Sequence, residues 1–127
     1  NCVWSSQLEK WIWIDPTFNA YVKDENGVFL SIAEVRERLI DGRPLILNED
    51  ANWNNENKQT KEDYLENYMA KNLYWLSCAT EYCFNGESRY RYTGRKHVAL
   101  IPTGFEVYDH TDYITTDAEY FWQAPER

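Results

Sequence analysis

The sequence predicts an α+β fold: a mostly antiparallel sheet with two helices and a long polar loop. Three observations lead there. Short runs alternate with the period of two that marks strands, most clearly in Trp11-Ile12-Trp13-Ile14-Asp15. Two segments, following Ser31 and Thr60, instead repeat apolar residues at helical spacing behind residues suited to cap a helix. Between those segments, residues 48–59 are dominated by Asn, Asp, Glu, Lys and Gln.

Taken in order, residues 1–6 and 10–15 read as antiparallel strands joined through Ser5-Ser6-Gln7-Leu8-Glu9. In the second strand both alternating sets are apolar, so both faces are expected to be covered. Asp15 stands at its end, and Pro16 stops it because proline has no amide to give a ladder. A carboxylate in such a place costs free energy unless a partner meets it. Phe18 to Val22 continues as strand, and Lys23-Asp24-Glu25-Asn26-Gly27 turns, Asn-Gly being tolerant of positive φ. Ser31-Ile32-Ala33-Glu34 has the form of a capping box. The helix behind it places Ile32, Val35, Leu39 and Ile40 on one face and leaves Glu34, Arg36, Glu37 and Arg38 in water, with Gly42 as a left-handed end. Pro44-Leu45-Ile46-Leu47 is a short apolar strand.

Residues 48–59 read as the least ordered stretch. Trp53 is its one large apolar side chain, either pinned to the body of the domain or free to stack on a ligand. Thr60 caps a second helix whose first turn carries Glu62 and Asp63. Tyr64, Leu65, Tyr68 and Met69, continued by Leu73 and Leu76, form a stripe read as core. The chain turns extended towards Ala79. Ser88-Arg89-Tyr90-Arg91-Tyr92, His97-Val98-Ala99-Leu100-Ile101 before Pro102, and Tyr113-Ile114-Thr115 read as strands, and Asp117 caps a last turn holding Tyr120, Phe121 and Trp122.

The length of 127 residues fits one domain, residues 1–127. An aromatic share of 17% argues for a packed core over disorder. A net charge of −8 sets nucleic acid and anionic lipid aside as default partners. No apolar run approaches the roughly 18 residues that span a bilayer. A chain that opens inside a strand reads as part of something longer. Cys2, Cys78 and Cys83, with His97 and His110, do not fall at metal-site intervals, and no phosphate or calcium loop is present, so no cofactor and no metal are expected. The cysteines read as small buried hydrophobes, although Cys78 and Cys83 are near enough in sequence to bridge.

The stretch Trp11-Ile12-Trp13-Ile14-Asp15-Pro16-Thr17 resembles the segment that holds the third catalytic residue of transglutaminase-like cysteine enzymes. In that superfamily a strand follows the catalytic histidine, the chain turns, and a second, aromatic strand ends in Asp-Pro-Thr. Asn1-Cys2-Val3-Trp4 is similar to the rest of the first strand and Lys10 to Thr17 to the second, so the likeness covers the first 17 residues. Tyr64-Leu65 to Cys78 and Val98-Ala99-Leu100-Ile101-Pro102 look like the C-terminal extension of bacterial members.

The resemblance implies a thiolate that attacks a glutamine-type amide or peptide carbonyl, an imidazole that accepts and returns the proton, and Asp15 as the carboxylate that orients it. It places the histidine a few residues ahead of Asn1 and the cysteine further upstream, opening a helix. The partner that Asp15 needs would then lie outside this chain. The chain would be a C-terminal portion without activity of its own. The implied partner is the peptide or protein amide substrate of the parent enzyme, and the implied setting is periplasmic or extracellular. An edge around residues 1–6 is left open to pairing with another copy.

Local chemistry gives no replacement triad: Cys2 lies on a strand, Cys78 follows a helix instead of opening one, His97 starts an apolar strand and His110 sits in an acidic turn. Two other readings stand beside the resemblance. Asp15-Pro16-Thr17 is also ordinary turn chemistry. The aromatic content also suits a non-catalytic binding or accessory domain for peptide or carbohydrate.

Overall fold

The computed structural model describes residues 1–80, 95–107 and 112–126. The strand expected at 88–92, Cys83 and His110 lie outside the described residues. The architecture is α+β, and the described residues form three sheets of mostly antiparallel strands. Contacts gather the chain into two compact units, Asn1–Leu73 with Ala124–Arg127, and Tyr74–Gln123.

In the first unit, β1 (Cys2–Ser5), β2 (Lys10–Asp15), β3 (Ala20–Lys23) and β4 (Ile46–Leu47) form one antiparallel sheet in that spatial order. The β1–β2 register pairs Cys2 with Trp13 and Trp4 with Trp11, and the rings of Trp4 and Trp11 meet edge to face at 5.7 Å. β2 and β3 pair only at Ile14–Tyr21 and Asp15–Ala20. Beyond that point they part around Leu30, whose carbonyl accepts from Trp13 and whose amide donates to Val22. The core of this unit includes Trp13, Phe18, Val22, Leu30, Val35, Leu45, Tyr64, Leu65 and Leu73.

Helix α1 (Ile32–Asp41) begins and ends as the sequence predicts. Ser31 and Glu34 make both bonds of the capping box, and Gly42 closes the helix at φ 65°. Its faces differ from expectation. Ile40 is 66% exposed, while Arg38 is only 7% exposed and joins Ile32 and Val35 inside. The reason is electrostatic. The Arg38 guanidinium donates to Glu25 at 2.6 Å and to the Pro44 carbonyl at 2.8 Å, and Asp24 lies 3.8 Å away. Glu34 and Arg36 are also drawn out of water: Lys10 donates to both Glu34 oxygens, and Arg36 donates to the Leu73 carbonyl at 3.0 Å. Of the four residues expected to stay wet, Glu37 alone is exposed.

Residues 48–59, the polar loop read as the least ordered stretch, are held by their polar side chains. Asn48 accepts from the Tyr21 amide at 2.8 Å and donates to the Asn19 carbonyl and to Asp50. The strands β5 (Asn52–Trp53) and β6 (Asn57–Lys58) form a small hairpin through Asn54 and Asn55, both at positive φ. Asparagine tolerates that region better than other residues with a Cβ.

The second helix is wound as a π-helix over Glu62–Met69 and as a 3₁₀ turn over Ala70–Asn72. The Thr60 hydroxyl accepts from the Asp63 amide, the capping role expected of it. The stripe is only partly a helical one: Tyr64, Leu65 and Leu73 are buried, but Leu76 belongs to a strand.

In the second unit, β7 (Leu76–Ala79) pairs antiparallel with β8 (His97–Leu100), and β8 pairs parallel with β9 (Tyr113–Thr115). Helix α2 (Ala118–Phe121) is capped by Asp117, whose carboxylate accepts from the Tyr120 amide. Ala99, Leu100 and Ile101 are buried here. Among the described residues no helix is long and apolar enough to cross a membrane.

Two outcomes follow from the charged side chains on α1. Arg38→Ala leaves Asp24 and Glu25 without their cation and the Pro44 carbonyl without its donor, and urea unfolding should record a lower midpoint than in the parent protein. Burial alone would raise the Glu34 carboxyl, but the Lys10 ammonium and the Ser31 amide outweigh it and hold the group below its usual range. A lowered folded value means that this stabilisation is complete above the ordinary glutamate range, near pH 4.3, and is lost as pH falls through the folded value. Stability measured against pH should therefore fall less steeply on the acid side in Glu34→Gln than in the parent protein.

Candidate functional site

Asp15 ends β2, where the sheet hands over to the Pro16-Thr17 turn. Its side chain shares a face with Trp11 and Trp13, since alternate residues of a strand point the same way. The Thr17 amide donates to Oδ1 at 3.0 Å, the local turn bond expected of Asp-Pro-Thr. The second partner is distant in sequence: the Tyr64 hydroxyl donates to Oδ2 at 2.7 Å across 49 residues. Asp15 therefore has partners within this chain, which corrects the expectation that its partner lies wholly outside it.

Tyr64 is 1% exposed and stands in the π-helix. Helices wound this way are rare and gather at functional sites. Trp13 stacks on its ring at 5.9 Å with an interplanar angle of 19°. Phe18 lies 5.0 Å from it on a tilted contact and also touches Trp53 and Tyr68. Burial, then the Asp15 bond and charge, push the Tyr64 phenol far up, so it remains a neutral donor. The sequence marked Tyr64 as core, and it is core. Its hydroxyl was missed because a helical stripe shows which side chains turn inward and carries no signal of what their polar ends meet.

Trp53 is 40% exposed and Tyr68 46% exposed, each with its ring within 5.3 Å of Phe18. Trp53 is thus anchored to the body of the unit while one part of its ring stays open to solvent.

Among the described residues, the other chemistry-bearing side chains are not assembled into a triad. Cys2 lies opposite Trp13, on the same face as Asp15, but burial pushes its thiol up and away from the thiolate form. Cys78 is an exposed free thiol, which corrects its reading as a buried hydrophobe. In the second unit His97 Nδ1 lies 3.3 Å from Asp112, an exposed pair. Cys78 is paired with Val98 and Ala79 with His97, so Cys78 and His97 point to opposite faces of that sheet. Among the described residues no three His, Cys, Asp or Glu are placed to hold a metal ion. One cleft is lined by Trp4, Ser6, Glu9, Ala124 and Pro125 and another by residues around Tyr113; neither is lined by Asp15.

No protein-family model, no curated protein and no solved structure matches the chain.

What the site offers chemically is an anchored carboxylate. Each oxygen accepts one hydrogen bond, and an ionised carboxylate has about four acceptor positions. Capacity therefore remains on both oxygens for a further donor.

Proposed function

We propose that this chain is the C-terminal portion of a transglutaminase-like cysteine enzyme, with Asp15 as the carboxylate of a Cys-His-Asp triad. The reading rests on one observation above the others. The β1–β2 register pairs Cys2 with Trp13, and the Ile14 amide donates to the Asn1 carbonyl at 3.0 Å. Carried one residue further, the ladder sets the position ahead of Asn1 across from Asp15. A histidine one or three residues ahead of Asn1 would stand on the Asp15 face, directly or diagonally opposite, where an imidazole N–H reaches a carboxylate.

In that arrangement the chemistry is acyl transfer at an amide. A thiolate attacks the carbonyl carbon of a glutamine side chain or peptide bond. The imidazolium returns its proton to the departing amine, and a thioester remains for water or a second amine to resolve. Asp15 keeps the imidazole in the tautomer and orientation this needs and stabilises its charged form. The substrate class is a peptide or protein amide, and the expected setting is periplasmic or extracellular. The outer edge of β1, where Val3 is exposed, is a place for pairing with a second copy.

A second reading is supported by Trp53 and Tyr68, whose partly open rings flank Phe18. They suit a non-catalytic module that stacks on peptide or carbohydrate.

The longer polypeptide decides between these. With a cysteine opening a helix and a histidine shortly ahead of Asn1, Asp15→Ala should lower amide turnover by about 10³- to 10⁴-fold, the cost of losing the orienting acid of a triad. The 127-residue chain by itself should turn over no amide. Cysteine-dependent turnover by this chain alone, or full activity in Asp15→Ala, would defeat the enzyme reading. For the β1 edge, sedimentation velocity over a concentration series should show reversible dimerisation that Val3→Lys removes; an unchanged monomer throughout rejects that pairing.

A further inference from the structure

Tyr64 is the buried titratable group that the triad reading leaves unused. Its ring is held between Trp13 and Phe18, and packing alone would be served as well by phenylalanine. The hydroxyl adds a desolvation cost that only a hydrogen bond offsets, and the partner it has is Oδ2 of Asp15 at 2.7 Å. The Thr17 amide occupies the other oxygen.

Two donors from different directions fix the plane of the carboxylate. A turn bond alone leaves the group free to swing about its side-chain torsions. The second bond comes from an element 49 residues away that is itself clamped by two aromatic rings, so it resists that swing. Because burial and the neighbouring charge keep the phenol protonated, it donates throughout the range in which a thiolate–imidazole pair operates.

Resting on the triad reading, we infer that Tyr64 is a positioning residue: its hydroxyl holds Asp15 in the orientation from which the carboxylate receives the imidazole N–H. It does not touch the substrate. Its effect passes through Asp15 and falls on the chemical step more than on substrate binding. A simple latch between the π-helix and β2 would serve folding and leave turnover by the folded enzyme untouched.

The variant Tyr64→Phe removes one oxygen and keeps the ring, so the aromatic stack is preserved. In the longer polypeptide, with folding checked by near-ultraviolet circular dichroism, kcat for a glutamine-containing peptide should fall about tenfold or more while KM stays within about twofold. In an Asp15→Asn background, Tyr64→Phe should cause no further loss, because the group it positions is already gone. In the 127-residue chain, a double-mutant cycle of Tyr64→Phe and Asp15→Ala should show a coupling of about tenfold or more in the unfolding equilibrium constant, the size of a hydrogen bond to a charged group. Unchanged kcat in Tyr64→Phe, or equal losses with and without the Asp15 carboxylate, overturns the positioning role and leaves the triad reading standing. Absence of cysteine- and Asp15-dependent turnover in the unmodified longer polypeptide overturns both. Absence of coupling in the 127-residue chain overturns the hydrogen bond on which the inference stands.

Discussion

In the first unit the carboxylate of Asp15 ends a strand whose same face carries Trp11 and Trp13, and donors of the protein itself hold it. The bond from Tyr64 joins the second strand of the chain to a helix 49 residues later. Trp13, Phe18 and Tyr64 then pack on one another around it. Phe18 in turn supports Trp53, so the polar hairpin is seated on the same cluster. Three separate stretches of sequence meet at this point. Closing so long a loop costs entropy that a single hydrogen bond does not offset. The aromatic burial offsets most of it, and the hydrogen bond ties the Tyr64 ring to the end of β2.

A second constraint acts at the other end of α1. The chain carries a net charge of −8, and its acidic turn at Asp24 and Glu25 would repel other acids if left alone. Arg38 instead enters the interior and meets both groups from the last turn of the helix. Lys10 does the corresponding task for Glu34 at the first turn. The helix is fixed at both ends by cation–carboxylate pairs that link it to the sheet and to the turn after β3. Its apolar face alone, Ile32 and Val35 with a half-buried Leu39, is too narrow to fix its rotation.

This division explains which features were legible in the sequence. The capping box at Ser31, the left-handed end at Gly42, the β1–β2 hairpin and the cap at Asp117 depend on neighbours a few residues away, and the strands His97–Leu100 and Tyr113–Thr115 are marked by their own residues; each is where the pattern puts it. Arg38, the Tyr64 hydroxyl and the ordering of residues 48–59 depend on partners that only the folded chain supplies. Charge alone marks Arg38 as a surface residue until Glu25, Asp24 and the Pro44 carbonyl are placed around it. Asparagine-rich composition reads as the least ordered stretch because the pattern does not register side-chain amides that bond to a distant backbone, as Asn48 does with Tyr21 and Asn19. The π-helical winding is hidden for another reason: residues 64, 65, 68 and 69 fall on one side under either winding.

Two roles are open to Asp15, turn anchor and the triad member proposed above, and the same geometry is compatible with both. An anchor needs donors on the carboxylate; a triad needs the carboxylate ionised, immobile and still able to accept. Donation from Thr17 and Tyr64 fixes the plane of the carboxylate, and it leaves acceptor positions on each oxygen. A carboxylate whose acceptor positions were all filled would be a structural group only. One with a single local bond would be too mobile to orient an imidazole. Asp15 lies between these limits, at a strand end whose ladder extends toward the neighbouring strand, and that intermediate state of satisfaction is what an orienting acid requires.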